Sequence, residues 1–199
     1  MTPEQIPEIS GNLVRHQKEF AALSVKEAQW VNKNTKEAIG VCVAAIKKHG
    51  FLKIFKPLFT DRILTIKALD GQRTIYGAKN VFKAGIDPNF KNLGLDKPDG
   101  PTGEITPAVY EPQEEFWFSS DYLDKFFIEH QVISFCIEYP DFLSPSTFTL
   151  FPLEKNKEHF VAGVRVSYDG LRVRRYPFEG CYWTADYSPR LVVPQPLVL

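Results

Sequence analysis

Apolar residues recur at helical spacing along the first quarter of the chain. Residues 4–22 carry one such stripe, which predicts a helix. The stretch Ser24-Val-Lys-Glu27 is a capping box and predicts that a second helix begins at the residue after the serine. Asn34-Thr-Lys-Glu37 resembles another capping box, which predicts a further helix from Thr35 to His49.

Short β-prone runs flank two Asp-Gly dipeptides further along the chain. Asp70-Gly71 lies between Ile63–Leu69 and Gln72–Tyr76. Asp169-Gly170 follows the run Phe160–Tyr168. Asp-Gly is a strong signal for a two-residue hairpin, because a type I′ turn needs positive φ at both central residues. The sequence therefore predicts two β-hairpins centred on these dipeptides.

The rest of the chain predicts a long loop, one helix and several strands. Residues 85–113 are rich in Pro and Gly, so we expect a long loop that is either a surface connection or a functional lid. Residues 119–139 are helical in character, with a break near Glu129 if residues 126–128 form a short strand. Further strands are predicted at Thr147–Leu153, Leu171–Tyr176, Cys181–Tyr187 and Leu191–Val193.

The order of helices first and strands later indicates an α+β fold. We expect the N-terminal helices to pack on a mostly antiparallel C-terminal β-sheet, within a single domain of residues 1–199. Its sections are a helical part (1–50), a hairpin with the Pro/Gly-rich loop (51–118), and a helix with antiparallel strands (119–199).

Composition narrows the class of protein. Of the 199 residues, 44% are hydrophobic, which suffices for a packed core and argues against wholesale disorder. Lys+Arg and Asp+Glu are both 24, so the chain is not a globally basic nucleic-acid coat, although a local basic patch stays open. The apolar stretch Ala38–Ile46 is too short for a bilayer, and no secretory signal is visible, so we expect no membrane association.

Three cysteines, Cys42, Cys136 and Cys181, stand far apart in the sequence. An odd number without CxxC spacing does not fit a disulfide framework, so we expect reduced thiols in a cytoplasmic protein. Cys42 and Cys136 have apolar neighbours and are expected to be small core residues. The four histidines are scattered, so we expect neither a metal site nor a cofactor.

The second hairpin places several arginines on one face. A two-residue turn at Asp169-Gly170 pairs Arg165 with Arg174. Side chains alternate between the faces of a strand, so Arg165, Arg172 and Arg174 project from one face, away from an apolar set. Two arginines directly opposite each other repel unless an anion lies near them. Arg165, Arg172 and Arg174 are therefore candidate anion-binding residues.

Two sources of counter-charge are open. Residues 51–100 contain nine Lys/Arg and five Asp/Glu, a net charge of +4, whereas residues 101–150 contain one and nine, a net charge of −8. Acidic groups of the same chain could therefore cover the arginines; the candidates are Glu111, Glu114, Glu115, Asp121 and Asp124. Alternatively, the arginines face outward and receive phosphate or carboxylate from a partner, since guanidinium groups bind both bidentately.

Lysines interleaved with phenylalanines form a second basic stretch between residues 47 and 59. Grooves for single-stranded nucleic acid use this combination, with phosphates on lysine and bases on aromatic rings. Under that interpretation the nucleic-acid-binding residues are Lys48, Lys53 and Lys56. The alternative is that the rings belong to the core and the lysines are solvated.

No catalytic motif is present. The chain lacks a G-x-S-x-G elbow, a Walker loop, H-E-x-x-H and G-x-G-x-x-G, and we assign no catalytic residue. The adjacent pairs Glu129-His130 and Glu158-His159 are expected to be surface pairs rather than acid–base units. A C-terminal aromatic cluster, together with Trp117, either lines a ligand groove or belongs to the core; its members are Tyr182, Trp183 and Tyr187.

Five stretches of the chain carry a resemblance to other proteins: Glu129-His-Gln-Val, Thr147-Phe-Thr-Leu-Phe, Glu158-His-Phe-Val-Ala-Gly-Val-Arg-Val, Asp169-Gly-Leu-Arg-Val and Arg190-Leu-Val-Val-Pro-Gln. Through them the chain resembles uncharacterised hypothetical bacterial proteins of unknown function. The resemblance implies a bacterial, cytoplasmic protein and implies no activity.

These features predict a non-enzymatic binding protein that holds an anionic partner, nucleic acid or an acidic protein surface, on the arginine-bearing face. One alternative is a small hydrolase or nuclease-like enzyme whose site is assembled from distant segments. The other is a structural or oligomer-forming protein, suggested by the apolar tail of residues 190–199. That tail either packs on its own sheet or adds a strand to a neighbouring copy.

Overall fold

The computed structural model describes residues 24–42, 54–58, 62–118, 123, 125–184 and 189–195. The chain divides into two compact units, Met1–Ile46 and Lys47–Leu199. The smaller unit is helical in its described part, and the larger one contains a mostly antiparallel sheet. The chain is therefore an α+β protein, as predicted. The helix predicted at residues 4–22 lies outside the described residues.

The helix predicted after Ser24 is present in the smaller unit. Helix α1 spans Val25–Lys33, and both bonds of its capping box form. The N–H of Glu27 donates to Ser24 Oγ at 3.3 Å, and the N–H of Ser24 donates to Glu27 Oε2 at 2.7 Å. Residues 35–42 are helical as well. The side chain of Asn34 donates to a carbonyl of α1 at 2.9 Å, so it caps the end of α1.

A seven-stranded sheet is the frame of the larger unit. Its strands are β1 (Phe55–Pro57), β2 (Gly85–Ile86), β3 (Ala108–Pro112), β5 (Phe148–Lys155), β6 (Glu158–Ser167), β7 (Gly170–Pro177) and β9 (Arg190–Val193). The order across the sheet is β1-β3-β9-β5-β6-β7-β2. Neighbouring strands are antiparallel except for the parallel pairs β5–β9 and β7–β2.

Smaller elements flank this sheet. Strands β4 (Phe116–Trp117) and β8 (Tyr182–Trp183) pair antiparallel as a separate ribbon. The helical elements are α2 (Asn89–Asn92), α3 (Glu129–Glu138) and a 3₁₀ turn at Pro140–Phe142. None of the helices in the described part of the chain has the length and apolar content needed to cross a lipid bilayer.

Both faces of the sheet bury apolar side chains, because alternate residues of each strand point to opposite sides. On the helix face, so named here for α3, the buried residues include Phe135 of α3 with Phe151 and Phe160 of the sheet. On the ribbon face, beside β4 and β8, they include Phe116 and Val161. The sheet is thus the middle layer between two separate clusters of apolar side chains.

The C-terminal tail enters the middle of the sheet. Strand β9 lies between β3 and β5, where Leu191 pairs with Tyr110 and Leu150. Residues 191–193 are buried. Of the two alternatives for the tail, residues 190–193 therefore pack on the chain's own sheet. Residues 196–199 lie outside the described residues.

The hairpin predicted at Asp70-Gly71 is wrong. The run at residues 66–69 forms antiparallel bridges to residues 102–105, which are distant in sequence. The carboxylate of Asp70 accepts from the N–H of Gln72 at 3.0 Å and closes the chain into a local turn. Residues 72–76 form no strand. The distant segment supplies the backbone partner that the predicted hairpin would have supplied.

Two other predictions need correction in their details. Residues 85–113 contain β2, α2 and β3, with Phe90 and Leu95 buried in the core, so the predicted loop is shortened to the segment between α2 and β3. The helix predicted at residues 119–139 begins at Glu129, where the break was predicted, and the described residues before it, 123 and 125–128, are not helical. Just before it, Phe127 forms a parallel bridge to β5.

The three cysteines are free. Cys136 is buried, and burial raises the pKa of its thiol, so it is an unreactive core residue as predicted. Cys42 is exposed, and the prediction that it is a core residue is wrong. Ile39, three residues earlier on the same face of the helix, is exposed as well, so the apolar stripe that suggested burial is not covered by described residues.

Candidate anion-binding face

Strands β6 and β7 form the predicted hairpin with a different turn. Tyr168 and Asp169 are the two turn residues, and Ser167 pairs with Gly170. Positive φ falls on Gly170, at 122°, and Asp169 does not share it. A type I′ turn on Asp169-Gly170 would need positive φ at both positions. The turn therefore begins one residue earlier than predicted.

The shifted turn changes the partner of each arginine but not its face. Arg165 pairs with Arg172, and Arg174 pairs with Gly163, so the predicted pairing of Arg165 with Arg174 is wrong. The partner moves by two positions along β7, and side chains alternate with a period of two. All three arginines therefore still project from one face, the ribbon face. Arg165 and Arg172 now occupy the unfavourable like-charge position.

Two of the arginines stand in one row across the sheet. Phe148 of β5 pairs with Arg165 of β6, which pairs with Arg172 of β7. Neighbouring strands lie about 4.8 Å apart, so the backbones of Phe148 and Arg172 are roughly 10 Å apart. Arg174 lies one row further along, opposite Gly163. The three residues Arg165, Arg172 and Arg174 are called the arginine row below.

The arginine row is exposed, and an acid beside it, Asp87 just after β2, accepts from the backbone N–H of Arg175 at 3.2 Å. Arg172 Nε donates to the carbonyl of Ala84 at 3.0 Å, which holds the guanidinium in place and leaves its terminal N–H groups free to donate. Burial raises the pKa of the Tyr176 phenol, and the neighbouring guanidinium of Arg174 partly offsets that rise. None of the three arginines forms a salt bridge with a described residue.

The acids predicted as internal counter-charges lie elsewhere or outside the described part. Glu111 is in β3, three strands from β6. Glu114 and Glu115 are exposed in the turn that follows β3. Asp121 and Asp124 lie outside the described residues. Within the described ranges, these predicted acids leave the arginine row uncovered.

An aromatic groove borders the arginine row on the ribbon face. Its volume is about 340 Å³. Phe148 belongs both to the groove and to the row of Arg165 and Arg172. The groove is lined by Thr147, Phe148, Tyr182, Trp183, Thr184 and Pro189. The interpretation of the aromatic residues as a groove thus holds for Tyr182 and Trp183; Trp117 pairs with Tyr182 but does not line the groove, and Tyr187 lies outside the described residues.

Edge-to-face packing fixes two rings of the aromatic groove, Phe148 and Trp183, against the neighbouring ring of Tyr176. The ring centroids of Tyr176 and Trp183 are 5.0 Å apart, and those of Phe148 and Tyr176 are 5.6 Å apart. The Phe148–Tyr176 contact lies over Gly163, where a Cβ atom would lie 2.7 Å from Tyr176 Cε2 and 3.2 Å from Phe148 Cδ1. Glycine at this position therefore allows the rings to lie close to the strand.

The predicted lysine stretch does not join the arginine row in the described residues. Lys56 is exposed in β1, an edge strand four positions from β6. It pairs with Glu111, an opposite charge, rather than with another base. Lys48 and Lys53 lie outside the described residues. Lys56 therefore does not extend the arginine row.

The prediction that Glu129 and His130 form a surface pair is wrong. Glu129 is fully buried at the start of α3. Its Oε1 accepts from Lys155 Nζ at 2.8 Å, and its Oε2 accepts from the N–H of Ile75 at 2.7 Å. Burial raises the pKa of Glu129, and the bond from Lys155 partly offsets the rise. Lys155 Nζ also lies 3.3 Å from Asp99 Oδ1.

The ion pair of Glu129 and Lys155 does not follow from the sequence pattern, because its two residues lie on different elements, α3 and β5. A usable signal exists in β5, where Lys155 has the same parity as the buried Phe151 and Leu153. Extending the predicted strand by two residues would place the lysine on a buried face and require an acidic partner. By contrast, Glu158 and His159 are exposed, as predicted.

His130 is buried beside an exposed aspartate. Its Nδ1 lies 3.3 Å from Asp70 Oδ1, in a geometry that forms no hydrogen bond. Burial lowers the pKa of His130, and the carboxylate of Asp70 partly offsets this. The histidine is therefore a neutral core residue near pH 7. Within the described ranges, no group of three His, Cys, Asp or Glu side chains is placed to hold a metal ion.

The chain matches no protein-family model, no curated protein and no solved structure. Its function is therefore inferred from the geometry of the arginine row and the aromatic groove. The resemblance to hypothetical bacterial proteins stays a prediction.

Proposed function

We propose that this chain is a non-enzymatic binding protein whose arginine row holds an anionic partner, either nucleic acid or an acidic protein surface. One observation carries the proposal: three exposed guanidinium groups share one face, and no described acid forms a salt bridge with them. Arg165 and Arg172 are direct cross-strand neighbours, so an anion between them relieves a repulsion.

The chemistry of the row favours phosphate or carboxylate as the bound group. A guanidinium presents N–H donors in a planar fork that matches both anions. Arg172 is partly fixed by its bond to Ala84, so less side-chain freedom is lost when a ligand binds. The free cysteines fit a reducing compartment, and a cytoplasmic setting is part of the proposal.

Charge reversal on the row tests the proposal. The variant is Arg165→Glu with Arg174→Glu, which spares Arg172 because that side chain also holds the backbone at Ala84. The matched control is Lys67→Glu with Lys97→Glu, two exposed lysines outside the row with the same change in net charge. We expect the wild type and the control to be retained on immobilised heparin and the arginine variant to elute at clearly lower salt.

Circular dichroism and thermal unfolding of both variants check that the fold is kept. Equal elution of the arginine variant and the wild type would remove the proposal. So would loss of retention in the lysine control to the same extent, because the effect would then come from net charge rather than from the row.

A further inference from the structure

The arginine row and the aromatic groove form one continuous surface. Phe148 lines the groove, and its cross-strand neighbour is Arg165. Tyr176, whose ring packs on both Phe148 and Trp183, lies beside the guanidinium of Arg174. Guanidinium groups and exposed rings are therefore within a few residues of each other on the ribbon face.

The rings of this surface differ in how deeply they are buried. Trp183 and Phe148 are partly buried and packed against the ribbon-face cluster. Tyr182 lines the groove with 56% of its surface exposed. Tyr182 is thus a ring available to a ligand, and its truncation costs the core little.

We propose that the partner is a single-stranded nucleic acid, with its phosphates on the arginine row and a base in the aromatic groove. This rests on the proposed function, since it names the partner of the same face. Cationic side chains beside aromatic rings are the combination that binds single strands, because every base has a face that stacks on a ring. Bases stacked in a duplex are not free to enter a side groove.

An acidic protein surface satisfies only half of this site. Carboxylates pair with the arginine row, but a charged acidic segment offers no planar group to the groove. A sulfated polysaccharide has the same shortcoming. The volume of about 340 Å³ is at the lower end of the range for small-molecule pockets, which suits one base rather than an extended surface.

The experiment compares ligands that differ only in their bases. Fluorescence anisotropy measures binding of a labelled oligothymidylate of about 12 nucleotides, a length within the usual site sizes for single strands. The reference ligand is an abasic strand with the same number of phosphates, and a polyglutamate of matched charge represents an acidic protein. We expect the thymidylate to bind on the order of 5- to 150-fold more tightly than the abasic strand, which is the effect of stacking one base.

Two tyrosine variants locate the base. Tyr182→Ala should weaken binding of thymidylate by a larger factor than binding of the abasic strand, and so reduce the preference between them. Tyr168→Ala is the matched control, because this fully exposed tyrosine lies in the β6–β7 turn outside the groove lining. Loss of the preference in Tyr168→Ala but not in Tyr182→Ala would overturn the assignment of the groove.

The remaining outcomes separate this inference from the function on which it rests. Equal affinity for thymidylate and the abasic strand overturns base binding but leaves the anion-binding row standing. Tighter binding of polyglutamate than of thymidylate overturns the nucleic-acid partner in favour of an acidic protein. Failure of all three polyanions to bind the wild type overturns both proposals.

Discussion

Single residues tie distant parts of the larger unit together through one buried charged pair. Glu129 at the start of α3 accepts from Lys155 at the end of β5 and from the backbone of Ile75. Lys155 also donates to the carbonyl of Lys97. Both side chains are almost fully buried, so water cannot take the place of a lost partner. Removing one member leaves the other as an uncompensated buried charge.

We therefore predict that Lys155→Met lowers the free energy of unfolding by about 3–5 kcal/mol. The double variant Lys155→Met with Glu129→Gln should recover part of the loss, since no buried charge is then left without a partner. Lys67→Met, at an exposed site, is the control and should change little. Urea unfolding measures all three. A Lys155→Met variant as stable as the control would show that the pair does not hold the fold.

A second prediction at this scale concerns pH. Burial holds the pKa of His130 below that of histidine in an unfolded chain, so between these two values the unfolded state binds the proton and the folded state does not. Stability should therefore fall as the pH drops from about 7.5 to about 5.5. The nearby charged groups are Asp70 and Arg73, which act in opposite directions.

His130→Gln removes the titrating group and should flatten this part of the stability curve. Thermal unfolding at a series of pH values is the measurement. The wild type measured over the same pH series is the reference. An unchanged slope in the His130 variant would assign the pH dependence to other groups.

At the scale of elements, the β5–β6 hairpin contains strain that the sequence did not reveal. Its two turn residues, Asn156 and Lys157, have φ of 54° and 67°. This is the conformation of a type I′ turn, although the dipeptide is not Asn-Gly. Asparagine tolerates the left-handed region, whereas lysine pays about 1–2 kcal/mol to adopt it.

We predict that Lys157→Gly raises the free energy of unfolding by about 1 kcal/mol, because glycine adopts this φ without steric cost, although its greater freedom in the unfolded chain offsets part of the gain. The matched control is Lys157→Ala, which removes the same exposed side chain and keeps the strain, so it should bring no gain. Urea unfolding of both variants gives the comparison. Equal stability of the glycine and alanine variants would contradict the strain.

The β5–β6 and β6–β7 hairpins show which parts of the fold the sequence pattern predicts. Strands β5, β6, β7 and β9 follow from β-prone apolar runs, and their predicted positions agree with the structure to within a few residues. Turn positions were less predictable, because Asp-Gly marks a favourable turn but not the pairing partner of the strands around it. At Asp70-Gly71 a segment from residues 102–105 takes the place of the hairpin strand. Such pairing depends on tertiary packing rather than on local sequence.

At the scale of the whole larger unit, the sheet separates two kinds of surface. Its helix face is closed by α3 and by residues 62–105, where the buried Glu129 is used for structure. Its ribbon face carries the arginine row and the aromatic groove. Alternation of side chains predicts that the arginines share one face. The prediction holds although the turn is displaced, because the pairing partner on β7 moves by two positions and side chains alternate with a period of two. The groove was only one of two alternatives, since its walls come from strands far apart in sequence.

The salt dependence of binding tests the arginine row most directly. For a single strand, the slope of log K against log salt concentration is about −0.7 for each neutralised phosphate, so three arginines predict a slope of roughly −2. In Arg165→Glu with Arg174→Glu, we predict weaker binding and a slope no steeper than about −0.7. An oligothymidylate titrated over a range of NaCl concentrations gives both values. Identical slopes and affinities for the wild type and this variant would contradict the account.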